Sequence, residues 1–285
     1  MWTETFLTTC VDPQVSLFVA QTAGGADNAV LVIHGGPDWD HSYLREPLGE
    51  LAGRHCLILP DLRGCGRSTC GLAADQYTPD AAINDLIALL DTLGVARADV
   101  LGFSYGGLLA QRLALTAPHR VRRLIIASSS VLPLPENAFQ DWAERDRRRA
   151  AEMAFWSENT LSGPELTRQA AIAAAPANVW QESALPDYLA RLRRVRFSAE
   201  WMRPWQTGSL PSARCDNAAS RLAASGIPIL LLHGRQDMTF PVALVEQTTT
   251  LIPAAHAVIL DGAGHMAHID QPARWITAVA EFLDN

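Results

Sequence analysis

Short runs of apolar residues alternate with amphipathic stretches along most of the chain. Residues 2–20 alternate loosely between apolar and polar positions, which predicts an opening hairpin. The later apolar runs are short and rich in β-branched residues, as is typical of strands buried on both faces of a parallel sheet. These runs lie at 29–33, 56–59, 100–101, 121–127, 229–233 and 257–260.

The segments between these runs carry apolar residues at the three- and four-residue spacing of amphipathic helices. In the clearest case, Thr78 and Pro79 are start signals and Gly94 is an end signal. Strand and helix in alternation predict an α/β protein with a mostly parallel, eight-stranded sheet and helices on both faces. The predicted helices cover residues 78–94, 105–116, 241–251 and 270–283.

The alternation stops at Val131. Residues 131–214 contain no strand-like run and are rich in arginine and tryptophan, so they predict a mostly helical insertion between two strands. Residues 1–130 and 215–285 then form the core domain. The clusters RDRRRA and RLRRVRF lie in this insertion, but nearby acidic residues nearly cancel their charge, which favours solvated helix faces over a nucleic-acid site.

Charge and composition narrow the possible partners. The 285 residues carry a formal net charge of −7, a poor match for nucleic acid or an anionic membrane. No apolar run approaches the roughly 18 residues of a membrane span, and the N-terminus lacks the features of a signal peptide. The sequence therefore predicts a cytoplasmic protein with a small-molecule or short-peptide substrate; it indicates no oligomeric state.

The cysteines and glycines give no sign of a metal or a nucleotide cofactor. The five cysteines are scattered, and no C-x-x-C pair occurs, so reduced structural thiols are expected, Cys65 and Cys70 included. Gly64 and Gly66 form a G-x-G without the strand–GxGxxG–helix pattern of a dinucleotide site.

The stretch GFSYGG at 102–107 contains G-x-S-x-G between a predicted strand and a predicted helix. Such a turn holds a serine in an unfavourable backbone conformation and brings residues 102 and 106 together, so both must be small. Because the motif stands in the strand–turn–helix context that it needs, Ser104 is the candidate nucleophile.

A serine hydroxyl needs a base, and that base needs an orienting acid. His265 follows the last strand in the loop GAGH and is favoured over His268, which is expected to begin the last helix. Asp237 follows the strand at 229–233 and is favoured over Asp61, because Asp61 precedes the serine and belongs to a glycine-rich turn. The order Ser104, Asp237, His265 is that of an α/β-hydrolase.

The developing oxyanion needs two N–H donors. One should be the backbone N–H of Tyr105, the residue after the nucleophile. The other should come from HGGP at 34–37, where Pro37 has no N–H. Gly36 is therefore the favoured donor, ahead of Gly35.

Over nearly its whole length the chain resembles the α/β-hydrolase superfamily. Its motifs HGGP, DLRGCGRS and GFSYGG look most like the proline iminopeptidase branch. The resemblance implies a helical cap inserted after the sixth strand, which residues 131–214 match. It also implies neither a cofactor nor a metal. Two positions depart from the branch, which usually has glycine where this chain has Asp38 and tryptophan where it has Tyr105. Members that remove an N-terminal residue hold its amine with cap glutamates, which the resemblance places near Glu158.

These observations predict a serine hydrolase that cleaves an amide or ester through an acyl-enzyme, such as an iminopeptidase-like aminopeptidase. A carboxylesterase or lactonase and a C–C bond hydrolase of a small apolar metabolite are the alternatives. A non-turning-over ligand-binding protein with the same fold is an alternative of another class. The candidate substrate-binding residues are Gly35, Trp156, Glu158, Trp201 and Trp205.

Overall fold

A single eight-stranded sheet forms the centre of the protein in the computed structural model, which describes all residues 1–285. Its spatial order is β1-β2-β4-β3-β5-β6-β7-β8. The β1–β2 and β2–β4 pairs are antiparallel and the other pairs are parallel, which confirms the predicted mostly parallel sheet. The strands are β1 (Trp2–Val11), β2 (Gln14–Thr22), β3 (Ala29–Ile33), β4 (Cys56–Pro60), β5 (Ala98–Phe103), β6 (Val121–Ala127), β7 (Ile229–Gly234) and β8 (Ala255–Leu260).

Helices connect the parallel strands, and two more helices follow the last strand. None of them is long and apolar enough to cross a membrane. They are α1 (Arg45–Leu48), α2 (Pro79–Thr92), α3 (Tyr105–Thr116), α4 (Ala143–Glu158), α5 (Gly163–Asn178), α6 (Leu185–Leu192), α7 (Met202–Gln206), α8 (Ala218–Ser225), α9 (Ala243–Leu251), α10 (Ala267–Asp270) and α11 (Pro272–Asp284).

The sheet separates two hydrophobic cores. In β3, Leu31 and Ile33 enter the core formed with α2, α3 and α8, whereas Val30 and Val32 enter the core formed with α1 and α11. Every residue of β3 is fully buried, because alternate side chains of a central strand point to opposite covered faces. This arrangement explains why the central strands are continuous apolar runs.

Helices α4 to α7 all lie between β6 and β7, within the segment predicted as a cap. We call residues 131–214 the cap segment; its standing as a separate domain stays a prediction. Helix α8 packs against α3, a helix of the core. This contact agrees with the expectation that the chain re-enters the core near residue 215.

The C-terminal helix differs from its prediction at residues 270–283. The structure divides this region into α10 and α11, with Gln271 between them in a non-helical conformation. Pro272 explains the break, because proline disfavours a helical conformation in the residue before it and lacks a backbone N–H. His268 consequently lies in α10 and does not begin the last helix.

Backbone crowding fixes the turn between β5 and α3. A Cβ atom on Gly102 would overlap the carbonyl group of Gly106, and a Cβ on Gly106 would overlap the carbonyl of Ile33. The obstacles are backbone atoms of the sheet and the helix, which cannot rotate away as a flexible side chain can. The prediction that residues 102 and 106 must both be small is confirmed.

We expect Gly106→Ala to lower the free energy of unfolding by about 3 kcal/mol or more, because overpacking here must displace a central strand. Urea unfolding measures this loss. Gly25→Ala is the matched control, since a Cβ there meets no atom within 4 Å, and it should change stability by less than about 0.5 kcal/mol. Equal effects of the two substitutions would contradict the crowding argument.

Candidate active site

Ser104 lies in the sharp turn between β5 and α3. Its backbone has φ 54° and ψ −119°, a conformation that a non-glycine residue rarely adopts. The strand ends at Phe103 and the helix starts at Tyr105, so Ser104 is the one residue that makes the reversal. The turn presents its side chain to a cavity lined by both the core and the cap segment.

Ser104, His265 and Asp237 form a continuous chain of hydrogen bonds. His265 Nε2 is 3.0 Å from Ser104 Oγ, and His265 Nδ1 is 2.9 Å from Asp237 Oδ2. With the Nδ1 proton donated to the carboxylate, Nε2 is free to accept the serine hydroxyl proton. The structure thus brings together the three residues that the sequence singled out, although they lie far apart along the chain.

Asp237 is completely buried and held as a carboxylate by its surroundings. Burial alone would raise its pKa, but the charge and hydrogen bond of His265 outweigh it, helped by His233 and the backbone, so the pKa is lowered. Its second oxygen accepts the backbone N–H groups of Thr239 at 2.7 Å and Phe240 at 2.9 Å. These donors fix the orientation of the carboxylate toward the imidazole.

The two expected oxyanion donors lie at the same cavity. Tyr105 is the first residue of α3, so its N–H has no acceptor within the helix. Gly36 also lines the cavity, and its N–H makes no hydrogen bond within the protein. The N–H of Gly35, in contrast, donates to the Tyr43 hydroxyl at 2.8 Å. The Gly35 N–H is therefore already paired, whereas the N–H of Gly36 is free.

The rival residues have other positions. His268 is fully buried against Tyr43, Phe103 and Trp275, and burial lowers its pKa to about 3, so it stays neutral. It packs beneath the site as a supporting residue, and the alternative that it is a surface histidine is wrong. Asp61 is bonded to His41 at 2.6 Å, away from the triad.

A cavity of about 510 Å³ extends from Ser104 up to the cap segment. Trp156, Trp201 and Trp205 line it, as expected for substrate-binding residues, with Trp201 buried and the other two at the exposed rim. Gly35 instead lies directly against Ser104, where a Cβ on Gly35 would come within 3.0 Å of the Ser104 Cβ. Further apolar walls come from Trp39, Tyr43, Phe103, Ala170, Ala171, Ala174, Met202, Leu210 and Met266.

Glu158 is not among the residues that line this cavity. It is the last residue of α4 and is exposed. The α4 carboxylate on the cavity wall belongs instead to Glu152, which is 2.8 Å from Arg149 Nη2. This pair was not predicted from the sequence. Its i, i+3 spacing on α4 is a signal for an ion pair, but spacing alone does not show which helix face meets the cavity.

Asp38 connects the loop that carries Gly36 to the cap segment. Its buried carboxylate accepts the backbone N–H of Trp201 at 3.0 Å, that of Met202 at 2.9 Å and the Ser198 hydroxyl at 3.0 Å. Burial raises the pKa of Asp38 despite these donors. The residue has φ 69°, a conformation that favours glycine. The departure from the iminopeptidase motif therefore has a structural role that its sequence position did not reveal.

The loops that carry His265 and Asp237 are also bonded to the cap segment. Asp270 accepts the N–H of Gly264 at 2.7 Å together with the N–H groups of Trp180 and Gln181, both at 2.8 Å. On the other side, arginines of α4 donate to the carbonyl oxygen of Met238. Each loop that supplies part of the site is thus held by a buried or half-buried charged group.

The structure contains no group of three or more His, Cys, Asp or Glu side chains arranged to hold a metal ion. All five cysteines are free. Burial raises the pKa of Cys65 well above its ordinary value and that of Cys70 to about 11, so both remain thiols rather than nucleophilic thiolates.

The family model of the alpha/beta hydrolase fold matches residues 28–272. The chain belongs to this family and is a hydrolase of the α/β fold. It is 30% identical to 2-hydroxymuconate semialdehyde hydrolase of Pseudomonas sp. (strain CF600), over 91% of this chain and 88% of that protein.

Two solved structures show the same fold. A thermophilic esterase from Thermogutta terrifontis is 26% identical with a TM-score of 0.72, covering 100% of this chain and 98% of the other. A proline iminopeptidase from Mycobacterium smegmatis is 22% identical with a TM-score of 0.72, covering 99% and 98%. The named activities of these proteins differ, so the similarity defines the fold and not the substrate.

His268 should make the protein sensitive to acid. Its pKa near 3 in the folded state lies below the 6.5 of an ordinary histidine. The unfolded chain therefore binds the extra proton, and stability is lost as the pH falls from 6.5 toward 3. Between pH 7 and pH 5 the loss should be about 2 kcal/mol.

We expect His268→Leu to lose about 2 kcal/mol less stability than the unaltered protein over that interval, measured by urea unfolding at both pH values. Burial also lowers the pKa of His34 and His233, but their contributions cancel in the comparison. An identical loss in both proteins would contradict a neutral His268.

Asp38→Gly should destabilise the protein by about 2–4 kcal/mol, because three cap donors lose a buried acceptor, whereas relief of the positive φ returns only about 1 kcal/mol. Asp141→Gly is the matched control, since Asp141 has φ 60° but is exposed. It should be neutral or slightly stabilising in the same unfolding assay. A neutral Asp38→Gly would show that the carboxylate does not hold the cap.

Proposed function

We propose that the protein is a serine hydrolase that cleaves its substrate through an acyl-enzyme. The observation that carries the proposal is the continuous chain of hydrogen bonds from Asp237 through His265 to Ser104, which ends in the cavity. Nucleophile, base and orienting acid are each within hydrogen-bond distance of the next.

In the first step, His265 accepts the Ser104 hydroxyl proton at Nε2 while Ser104 Oγ attacks a substrate carbonyl carbon. The resulting oxyanion receives hydrogen bonds from the N–H groups of Tyr105 and Gly36. Asp237 stabilises the imidazolium by accepting its Nδ1–H. Collapse of the tetrahedral intermediate expels the leaving group, which takes the proton from His265 Nε2.

In the second step, water attacks the acyl-enzyme and His265 again acts as the base, after which Ser104 leaves with its proton restored. The walls of the cavity are mainly aromatic and aliphatic, which favours an apolar group next to the scissile carbonyl. A cavity of about 510 Å³ suits a small-molecule substrate or a short peptide.

Within this chemistry we favour an ester over an aminopeptidase substrate. An aminopeptidase site needs a carboxylate for the free amine, but Glu158 is exposed and does not line the cavity, and Glu152 is paired with Arg149. The likeness to an esterase supports the same choice.

A second candidate is hydrolysis of a C–C bond in a small carbonyl compound. It is favoured by the 30% identity to a hydrolase of 2-hydroxymuconate semialdehyde, a compound whose name includes neither an ester nor an amide. The same serine, histidine and oxyanion donors would serve this reaction. A ligand-binding protein without turnover is disfavoured by the hydrogen-bonded state of the triad.

We expect Ser104→Ala, His265→Ala and Asp237→Asn each to lower kcat on short-chain nitrophenyl esters by about four orders of magnitude, because the three residues act as one unit. Mass spectrometry should detect a phosphonate adduct on Ser104 in the unaltered protein. Ser129→Ala is the control, since this buried serine near the turn has no hydrogen-bond partner and should keep full activity.

Full turnover by Ser104→Ala would overturn the mechanism. Parallel assays on aminoacyl naphthylamides and on a 2-hydroxymuconate semialdehyde substrate choose between the reactions. Faster naphthylamide cleavage that is lost when the amine is blocked would reassign the protein as an aminopeptidase. Serine-dependent cleavage of the semialdehyde alone would favour the second candidate.

A further inference from the structure

Two arginines of α4 converge on one backbone oxygen beside the site. Arg145 Nε lies 3.1 Å from the Met238 carbonyl oxygen and Arg149 Nη1 lies 3.2 Å from it. Met238 directly follows Asp237 in sequence, so both guanidinium groups sit at the edge of the triad. They are one helical turn apart and on the same face of α4.

The carboxylates nearby do not balance these two charges. Arg149 is paired with Glu152, whereas no carboxylate lies within ion-pair distance of Arg145, whose guanidinium rests 4.1 Å from the centre of the Phe139 ring. The other arginines of α4, Arg147 and Arg148, are bonded to Glu144. One positive charge is therefore left over beside Met238.

This charge faces space that a substrate can reach. A second cavity, of about 750 Å³, lies beside the catalytic one, and Arg149 and Thr239 line both. Arg145 lines the second cavity, and its terminal nitrogens make no hydrogen bond within the protein. Two further carboxylates lie near these arginines: Glu136 borders this cavity, and Asp146 follows Arg145 in sequence and acts on its charge. Both are exposed to solvent, so they screen the arginines only weakly.

The other charged groups of the catalytic cavity are already occupied. The Asp38 carboxylate accepts three donors from the cap segment, and His265 belongs to the triad. A charged substituent on a substrate would therefore meet Arg149, Glu152 and Arg145. With two cations and one anion, this group is complementary to a single negative charge.

We propose that Arg145 and Arg149 form a carboxylate subsite and that the substrate carries a carboxylate away from its scissile carbonyl. The proposal rests on the proposed hydrolase function and deepens it. Guanidinium groups bind carboxylates through paired, charge-assisted hydrogen bonds. A single carboxylate matches the one uncompensated charge, whereas a phosphate monoester with nearly two charges exceeds it.

The test uses inhibition of phenyl acetate hydrolysis by straight-chain carboxylates, with alcohols, amines and alkyl phosphates of equal length for comparison. The carboxylates should bind best. Arg145→Gln and Arg149→Gln should each weaken carboxylate inhibition about tenfold relative to the matched alcohol. The alcohol corrects for any change in cavity shape after the contact with Met238 is lost.

Two further variants sharpen the result. Glu152→Gln should strengthen carboxylate inhibition several-fold, because it removes the competing anion from Arg149. Arg147→Gln is the matched control, since Arg147 lies on the same helix but is 63% exposed and pairs with Glu144, and it should change nothing.

Stronger binding of amines than carboxylates, abolished by Glu152→Gln, would overturn the proposal and make the site a cation site. Tighter binding of the phosphates would also overturn it, as would an unchanged carboxylate-to-alcohol ratio in both arginine variants. If phenyl acetate is not hydrolysed, the same ligands are titrated by the fluorescence of the cavity tryptophans. Arginine-dependent carboxylate binding without turnover would then count against the hydrolase function alone.

Discussion

The steric constraint around Ser104 is the condition on which the site depends. Strand β5 must reverse into α3 within one residue, and the backbones of Gly102 and Gly106 come so close that neither has room for a side chain. The crowding has a chemical consequence. It places the serine oxygen beyond the strand end and leaves the N–H of Tyr105 unpaired beside it. The proposed nucleophile and one proposed oxyanion donor therefore arise from one local arrangement.

The same constraint explains how much of the site could be predicted from sequence. Glycines flanking a serine, a proline without an N–H and a histidine after a strand are local signals, because each reflects a requirement at its own position. Sheet topology then brings the ends of parallel strands to one edge, so Ser104, Asp237 and His265 could be placed together without knowledge of any side-chain contact. The six strands β3 to β8 followed from short apolar runs, whereas the hairpin of β1 and β2 followed from a loose alternation of apolar and polar residues.

The cap contacts could not be predicted in this way, because they depend on how helices of the cap segment lie over the core. Helix periodicity could not choose Glu152 over Glu158, since only the three-dimensional position of α4 shows which residue faces the cavity. Asp38 was visible as a departure from a motif, but its partners Trp201 and Met202 lie more than a hundred residues later. Local sequence records local constraints well and long-range polar pairing poorly.

These long-range contacts connect the cap segment to the loops of the candidate active site. The loop of Gly36 is tied to it through Asp38, the loop of His265 through Asp270, and the loop of Asp237 through the carbonyl of Met238. A buried carboxylate that loses its hydrogen-bond donors lowers the stability of the fold. Separation of the cap segment from these loops would therefore cost a large amount of free energy. Substitutions in the cap segment should therefore shift the loops of Gly36, Asp237 and His265 as well as alter substrate binding. Trp156 and Trp205 form the exposed rim of the cavity and make no such contact with a loop of the site. Movement of the cavity wall should therefore cost the least free energy at this rim.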